Sequence, residues 1–148
     1  MRVAKGITHV LKEWFIAFAR SKDILARQIE SVEENVESWD VIVKEKARTR
    51  FVLIRPSLEV WDDILPRLNG DHVTLVVLNT SKNLDAVIVK WAELVKHQKF
   101  VIAFANPYSL TDKQWQVYPA THDRITERRV LRKGLEVMAA NVERYTEA

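Results

Sequence analysis

The sequence predicts an α/β fold with a mostly parallel sheet, an antiparallel hairpin at its edge and a helical extension at the N-terminus. Three observations support this. The segments His72–Leu78 and Phe100–Ala105 are near-continuous apolar runs, the mark of strands covered on both faces. The stretch between them carries Leu84, Val87, Ile88, Trp91, Leu94 and Val95 at helical spacing. A strand at Thr49–Arg55 and a short helix precede both. The resulting order of strand, helix, strand, helix and strand implies two successive right-handed crossovers.

Taken in order, the chain opens on a helical pattern. Ala4, Leu11, Phe18, Leu25, Val32 and Trp39 recur at every seventh position, with Trp14, Phe15 and Val36 beside that line. Glu30, Glu33, Glu34 and Glu37 take other faces, and Ser21-Lys22-Asp23 offers a cap for a second helix. One bent helix or two therefore span residues 1–39. From Asp40 the period changes to two, and Val41–Lys44 and Thr49–Arg55 predict an antiparallel hairpin or one long bent strand. Ser57 is placed to cap a short helix bearing Trp61, Ile64, Leu65 and Leu68, which Pro66 kinks or ends. Thr80 or Ser81 caps the next helix. Asn106–Lys113 is too short for a third helical crossover, so Gln114–Tyr118 folds back antiparallel on its predecessor. A last helix runs to about Tyr145 with Leu131, Leu135, Met138 and Val142 along one face. Together these elements predict a single α/β domain over residues 1–148, its sheet core and C-terminal helix within 40–148.

Composition excludes several chemistries. There is no cysteine, hence no disulfide, thiolate nucleophile or cysteine zinc site. The three glycines, Gly6, Gly70 and Gly134, stand too far apart for a glycine-rich phosphate loop. Of His9, His72, His97 and His122, no two have the close spacing of paired metal ligands, so neither a metal nor a cofactor is expected. No window is long and apolar enough to span a bilayer, and no secretory signal opens the chain. A soluble, cytoplasmic protein is the expectation. The net charge of +3 is mild, so any polyanion must be met by local clustering.

Two surfaces qualify as sites. In open parallel sheets, ligands bind beyond the carboxyl ends of the strands. Those ends bring Arg55, Ser57, Asn79, Ser81, Lys82, Asn106 and Tyr108 towards one edge, where two helix N-termini would favour an anion. Tyr108 is the one plausible proton donor among them. Against this, Ser57, Thr80 and Ser81 read equally well as helix caps and Asn106-Pro107 as a turn. The second surface is basic. Lys44, Lys46, Arg48 and Arg50 alternate along the first hairpin, and Arg124, Arg128 and Arg132 are spaced four apart on the last helix. An edge strand or a solvated helix face carries such charges without any ligand.

The strand–helix rhythm resembles the broad Rossmann-like class. That resemblance implies a three-layer core but no particular chemistry, because the class hosts many unrelated activities. The resulting expectation is a non-enzymatic binding module that contacts nucleic acid or another polyanion through its basic clusters. The long N-terminal stripe suggests a homodimer, formed by two such helices pairing. The alternatives are a small-molecule or nucleotide-processing enzyme working at the strand ends, and a protein-interaction domain.

Overall fold

The computed structural model describes residues 6–110 and 114–146, so Ala4 of the N-terminal stripe and Lys113 of the last connection lie outside the described residues. The chain runs α1 (Ile7–Lys22), β1 (Ile29–Val36), β2 (Trp39–Glu45), β3 (Thr49–Ile54), β4 (His72–Leu78), α2 (Ser81–Val89) and α3 (Trp91–Leu94). It continues through β5 (Phe100–Ala105), β6 (Gln114–Val117), α4 (Pro119–Ile125) and α5 (Leu131–Ala140). Short 3-10 turns lie at Leu65–Arg67 and Arg128–Val130.

The six strands form one open sheet in chain order. β1, β2 and β3 make an antiparallel meander, β3, β4 and β5 are parallel, and β6 returns antiparallel. The sheet is therefore mixed, parallel at its centre and antiparallel at both edges, rather than mostly parallel. Strand order never reverses, so the sheet lacks the switch point of a doubly wound, Rossmann-like fold and the crevice such a switch opens. Crossovers of one hand that advance in one direction fall on one face. On that face Leu58, Trp61, Ile64, Leu84, Leu94 and Leu135 bury against Leu53, Leu75 and Phe104. The opposite face, with Val43, Val52, Ile54 and Val76, is covered by Leu11, Phe15 and Ala19 of α1.

The helical extension is shorter than the sequence suggests. Residues 29–36 are an edge strand, and Trp39 begins β2. Asp23 does not cap a second helix but closes the first. Its N–H donates to the carbonyls of Ala19 and Arg20, while its carboxylate accepts the N–H groups of Gln28 at 2.7 Å and Ile29 at 2.9 Å. The misreading has a physical cause. β1 is exposed or half-buried throughout, so a period of two is not imposed on it, and its glutamates suit an unpaired edge as well as a helix. The apolar stripe is divided: Leu11, with Phe15 and Ala19, packs on the chain's own sheet, Trp39 packs against the other face, and Leu25 is exposed.

A two-residue turn links β1 to β2, with Glu37 (φ 51°) and Ser38 (φ 71°) both left-handed, as a type I′ hairpin demands. The usual Asn-Gly signal is missing. Ser38→Gly is expected to raise stability by roughly 0.5 kcal/mol, the relief of the Cβ clash less glycine's extra unfolded-state entropy. A urea melt showing destabilisation would mean that the turn is not held in this conformation.

Two further elements differ from expectation. Ser57 is exposed and caps no helix, and only a 3-10 turn forms near Pro66, yet Trp61, Ile64 and Leu68 are buried as their spacing implied. The last helix is two helices, interrupted where Thr126 is extended (φ −135°, ψ 133°), and α5 stops at Ala140. Thr80 does cap α2, its hydroxyl accepting the N–H of Asn83 at 3.2 Å. No helix among the described residues is long and apolar enough to cross a membrane.

Candidate functional site

The polar strand ends converge, but on the chain's own C-terminal segment. Asn79, at the end of β4, is 1% exposed. Its Nδ2 donates to the carbonyls of Val142 (3.0 Å), Ala139 (3.3 Å) and Glu143 (3.3 Å), and its Oδ1 accepts the Trp115 indole N–H at 2.9 Å. Asn106 repeats the device after β5, donating to the carbonyls of Glu143 (3.1 Å) and Arg144 (3.2 Å) and accepting the N–H of Tyr108. The last turn of a helix leaves carbonyls without partners, and these two amides supply donors to the end of α5 and the residues beyond it. The asparagines thus close the strand ends. Tyr108 is exposed with its ring stacked against that of Tyr145, while Ser81 and Lys82 are exposed on the first turn of α2. Arg55 is held by two carboxylates, Asp40 and Asp63, each at 2.9 Å. Asn83, which the sequence did not single out, is a third clamp. It is 2% exposed, accepts the N–H of Leu58 and donates to the carbonyls of Pro56 and Leu78.

The basic runs also separate. The hairpin scatters the first. Lys44 lies beside Glu33 at 3.3 Å on β1, whereas Arg48 and Arg50 share one oxygen of Glu45, at 2.9 and 3.4 Å. Lys46 is exposed in the turn, its N–H donating to the carbonyl of Gln28. Across β2 and β3, Lys44 is paired with Thr49 and Val43 with Arg50, so Lys44 and Arg50 point to opposite faces. The second run is divided among α4, a 3-10 turn and α5. Arg128 forms two hydrogen bonds to Asp123, Arg132 one to Asp85, and Arg124 reaches Gln98. These elements belong to the layer opposite α1, so Arg50 of the first run lies on the other side of the sheet from the second.

The chain does build a cavity, at the other end of the sheet. Where α1 ends, the face that buries Val52, Val76 and Ala103 continues into polar positions. Strand alternation makes this unavoidable. Two residues back from Val52 is Arg50, from Val76 is Thr74 and then His72, and Ala103 is paired with Gln116. Arg50 and His72 are direct neighbours across the parallel β3–β4 ladder. The C-terminal half of α1 roofs this polar floor and leaves a pocket of about 330 Å³. Lys22, Arg48, Arg50 and Lys99 bring four cations to its lining, against the carboxylates of Asp23 and Glu45.

Both carboxylates are already engaged, Asp23 by two backbone N–H groups and Glu45 by two arginines. The Nε of Arg50 is buried and, at 3.4 Å from the Glu45 carboxylate, is held by charge without hydrogen-bond geometry. His72 registers the local field. Burial, and then the charges of Arg48, Lys99 and Arg50, lower its pKa below the ordinary value of 6.5, with Glu45 opposing them. Such a site disfavours one more positive charge and favours an anion. Of the residues proposed from sequence as ligands, Arg48 and Arg50 are here. His72, Thr74, Lys99, Gln116 and Tyr118 were not foreseen, because nothing local marks them as neighbours. Among the described residues, no group of three His, Asp or Glu could hold a metal ion.

Compared with known proteins, the chain matches no family model, and no curated protein or solved structure is significantly similar to it. The functional reading therefore rests on the residues of this pocket.

Proposed function

We propose that the protein is a binding module for a phosphate-bearing polyanion, nucleic acid in the first instance, which meets the sheet at the mouth of the α1 pocket. One observation carries this. Lys22 from α1, Arg48 from the β2–β3 turn, Arg50 from β3 and Lys99 before β5 reach a single opening whose carboxylates are already occupied. A modest overall charge of +3 then acts through one local field.

The test is a salt titration with a labelled oligonucleotide. The logarithm of the binding constant should fall with that of salt concentration, with a slope of about −3 for three or four neutralised phosphates. Arg48→Ala combined with Lys99→Ala should weaken binding and flatten the slope. Both side chains are exposed, so the fold should survive. Arg124→Ala with Arg132→Ala, in the layer opposite α1, should change neither quantity. No binding by the unaltered protein at low salt would sink the proposal.

A further inference from the structure

We infer that the pocket receives a nucleotide bearing a terminal phosphomonoester, with the phosphate among Arg48, Arg50 and Lys99 and the base against Tyr118. This rests on the basic mouth acting as a phosphate surface and adds which part of the polyanion is read.

Size is the first argument. A volume of about 330 Å³ lies at the low end for small-ligand sites and leaves room for one nucleotide, not a run of them. Shape is the second. The sheet forms the floor, with Thr74 and Val101, while Phe15 and Ala19 of α1 close one side. With α1 and the sheet walling two sides, the space suits one terminal nucleotide better than a continuous strand.

Charge favours a monoester. A terminal phosphate carries between one and a half and two negative charges at neutral pH, against one for an internal diester. The cations that surround His72 gain more from the former. Arg48 and Arg50 share one Glu45 oxygen, the Arg50 Nε only at 3.4 Å and without hydrogen-bond geometry, so one carboxylate leaves the two guanidiniums partly uncompensated for a phosphate. Tyr118 is the final element. It lines the pocket, is 48% exposed, and follows β6 directly, so the fold delivers an aromatic face to a basic site that has none in sequence.

The experiment compares four forms of one short oligonucleotide by fluorescence anisotropy with the full chain: 5′-phosphorylated, 3′-phosphorylated, unmodified and circular. At least one phosphorylated form should bind about tenfold more tightly than the unmodified and circular forms, a margin of the size expected for charge-assisted contacts. Tyr118→Ala and Arg48→Ala, at exposed positions, should each reduce that margin several-fold. A nucleoside monophosphate added as competitor distinguishes the sources. Competition points to a free nucleotide and its failure to a strand end, and either upholds the shared chemistry. Equal affinity for all four forms, with the salt dependence intact, overturns the inference while leaving the polyanion reading in place. Monophosphate binding without strand binding does the reverse. Binding of neither overturns both.

Discussion

Asn79→Ala should cost about 3 kcal/mol of folding stability, a large share of the total for a chain of this size. The side chain sits at the junction of β4, β6 and the end of α5. Its removal leaves the Trp115 N–H without its acceptor and the Val142 carbonyl without the amide donor, while the carbonyls of Ala139 and Glu143 keep the Val142 N–H and Asn106 Nδ2. Each uncompensated buried group costs about 1–3 kcal/mol, and partial relaxation keeps the sum below the maximum. Asn106→Ala, which takes a donor from the Arg144 carbonyl and an acceptor from the Tyr108 N–H but leaves Glu143 held by Asn79, should cost less, about 1–2 kcal/mol. Urea unfolding measures both. A loss under about 1 kcal/mol at Asn79 would show that this amide does not pin the C-terminal segment. Because the pocket is at the far end of the strands, ligand affinity in the folded variant should hardly change. That separates a structural amide from a ligand-binding one.

Stability should also decline as pH falls through about 6.5, well before the carboxylates titrate. Two histidines have lowered pKa values. His72 is half-buried, and its desolvation is joined by the charges of Arg48, Lys99 and Arg50, with Glu45 opposing; His122 is lowered by burial, with Asp123 opposing. The His122 ring meets Trp91 edge-on, and its Nε2 is buried without a hydrogen-bond partner. Each native imidazole is harder to charge than its unfolded counterpart, so the unfolded chain takes up protons first. The full stability is present above the ordinary histidine pKa of about 6.5 and is lost below it, levelling off under the native values. Asp123, lowered by hydrogen bonds from Arg128 and Trp91, acts in a separate window, losing its contribution only as pH drops through and below 3.8. His72→Gln with His122→Gln should flatten the fall near pH 6. A bound phosphate should do so in part, since an anion beside His72 raises its pKa. A melting temperature unchanged between pH 7.5 and pH 5 would contradict the placement of both rings.

The sequence was most legible where the tertiary environment imposes a single demand. β4 and β5 are buried on both faces, which leaves little but continuous apolar residues at those positions, and their limits agree with the runs His72–Leu78 and Phe100–Ala105. The same holds for Thr80, whose cap depends on three neighbouring residues, and for the return of β6. It was least legible where that demand is weak. β1 is a half-solvated edge and its turn lacks glycine, so residues 29–36 kept a helical appearance that the strand pairing overrode. The last helix looked continuous because Leu131, Leu135 and Val142 share a period, but the break at Thr126 lies upstream of them.

Of the candidate site, only Arg48 and Arg50 were visible. The polar residues at the strand ends were found, but as ligand contacts, because side-chain chemistry alone cannot tell an amide that binds a ligand from one that binds the chain's own carbonyls. By itself the sequence determined the α/β class, the buried strands and the absence of glycine loops and thiols, all of which depend on local pattern and composition. Tertiary structure alone decided which polar ends are closed and where a pocket opens. Both follow from strand register and from where α1 stops, which set Arg50 beside His72 and bring Lys99 and Tyr118 to a cavity that no contiguous stretch of chain encodes.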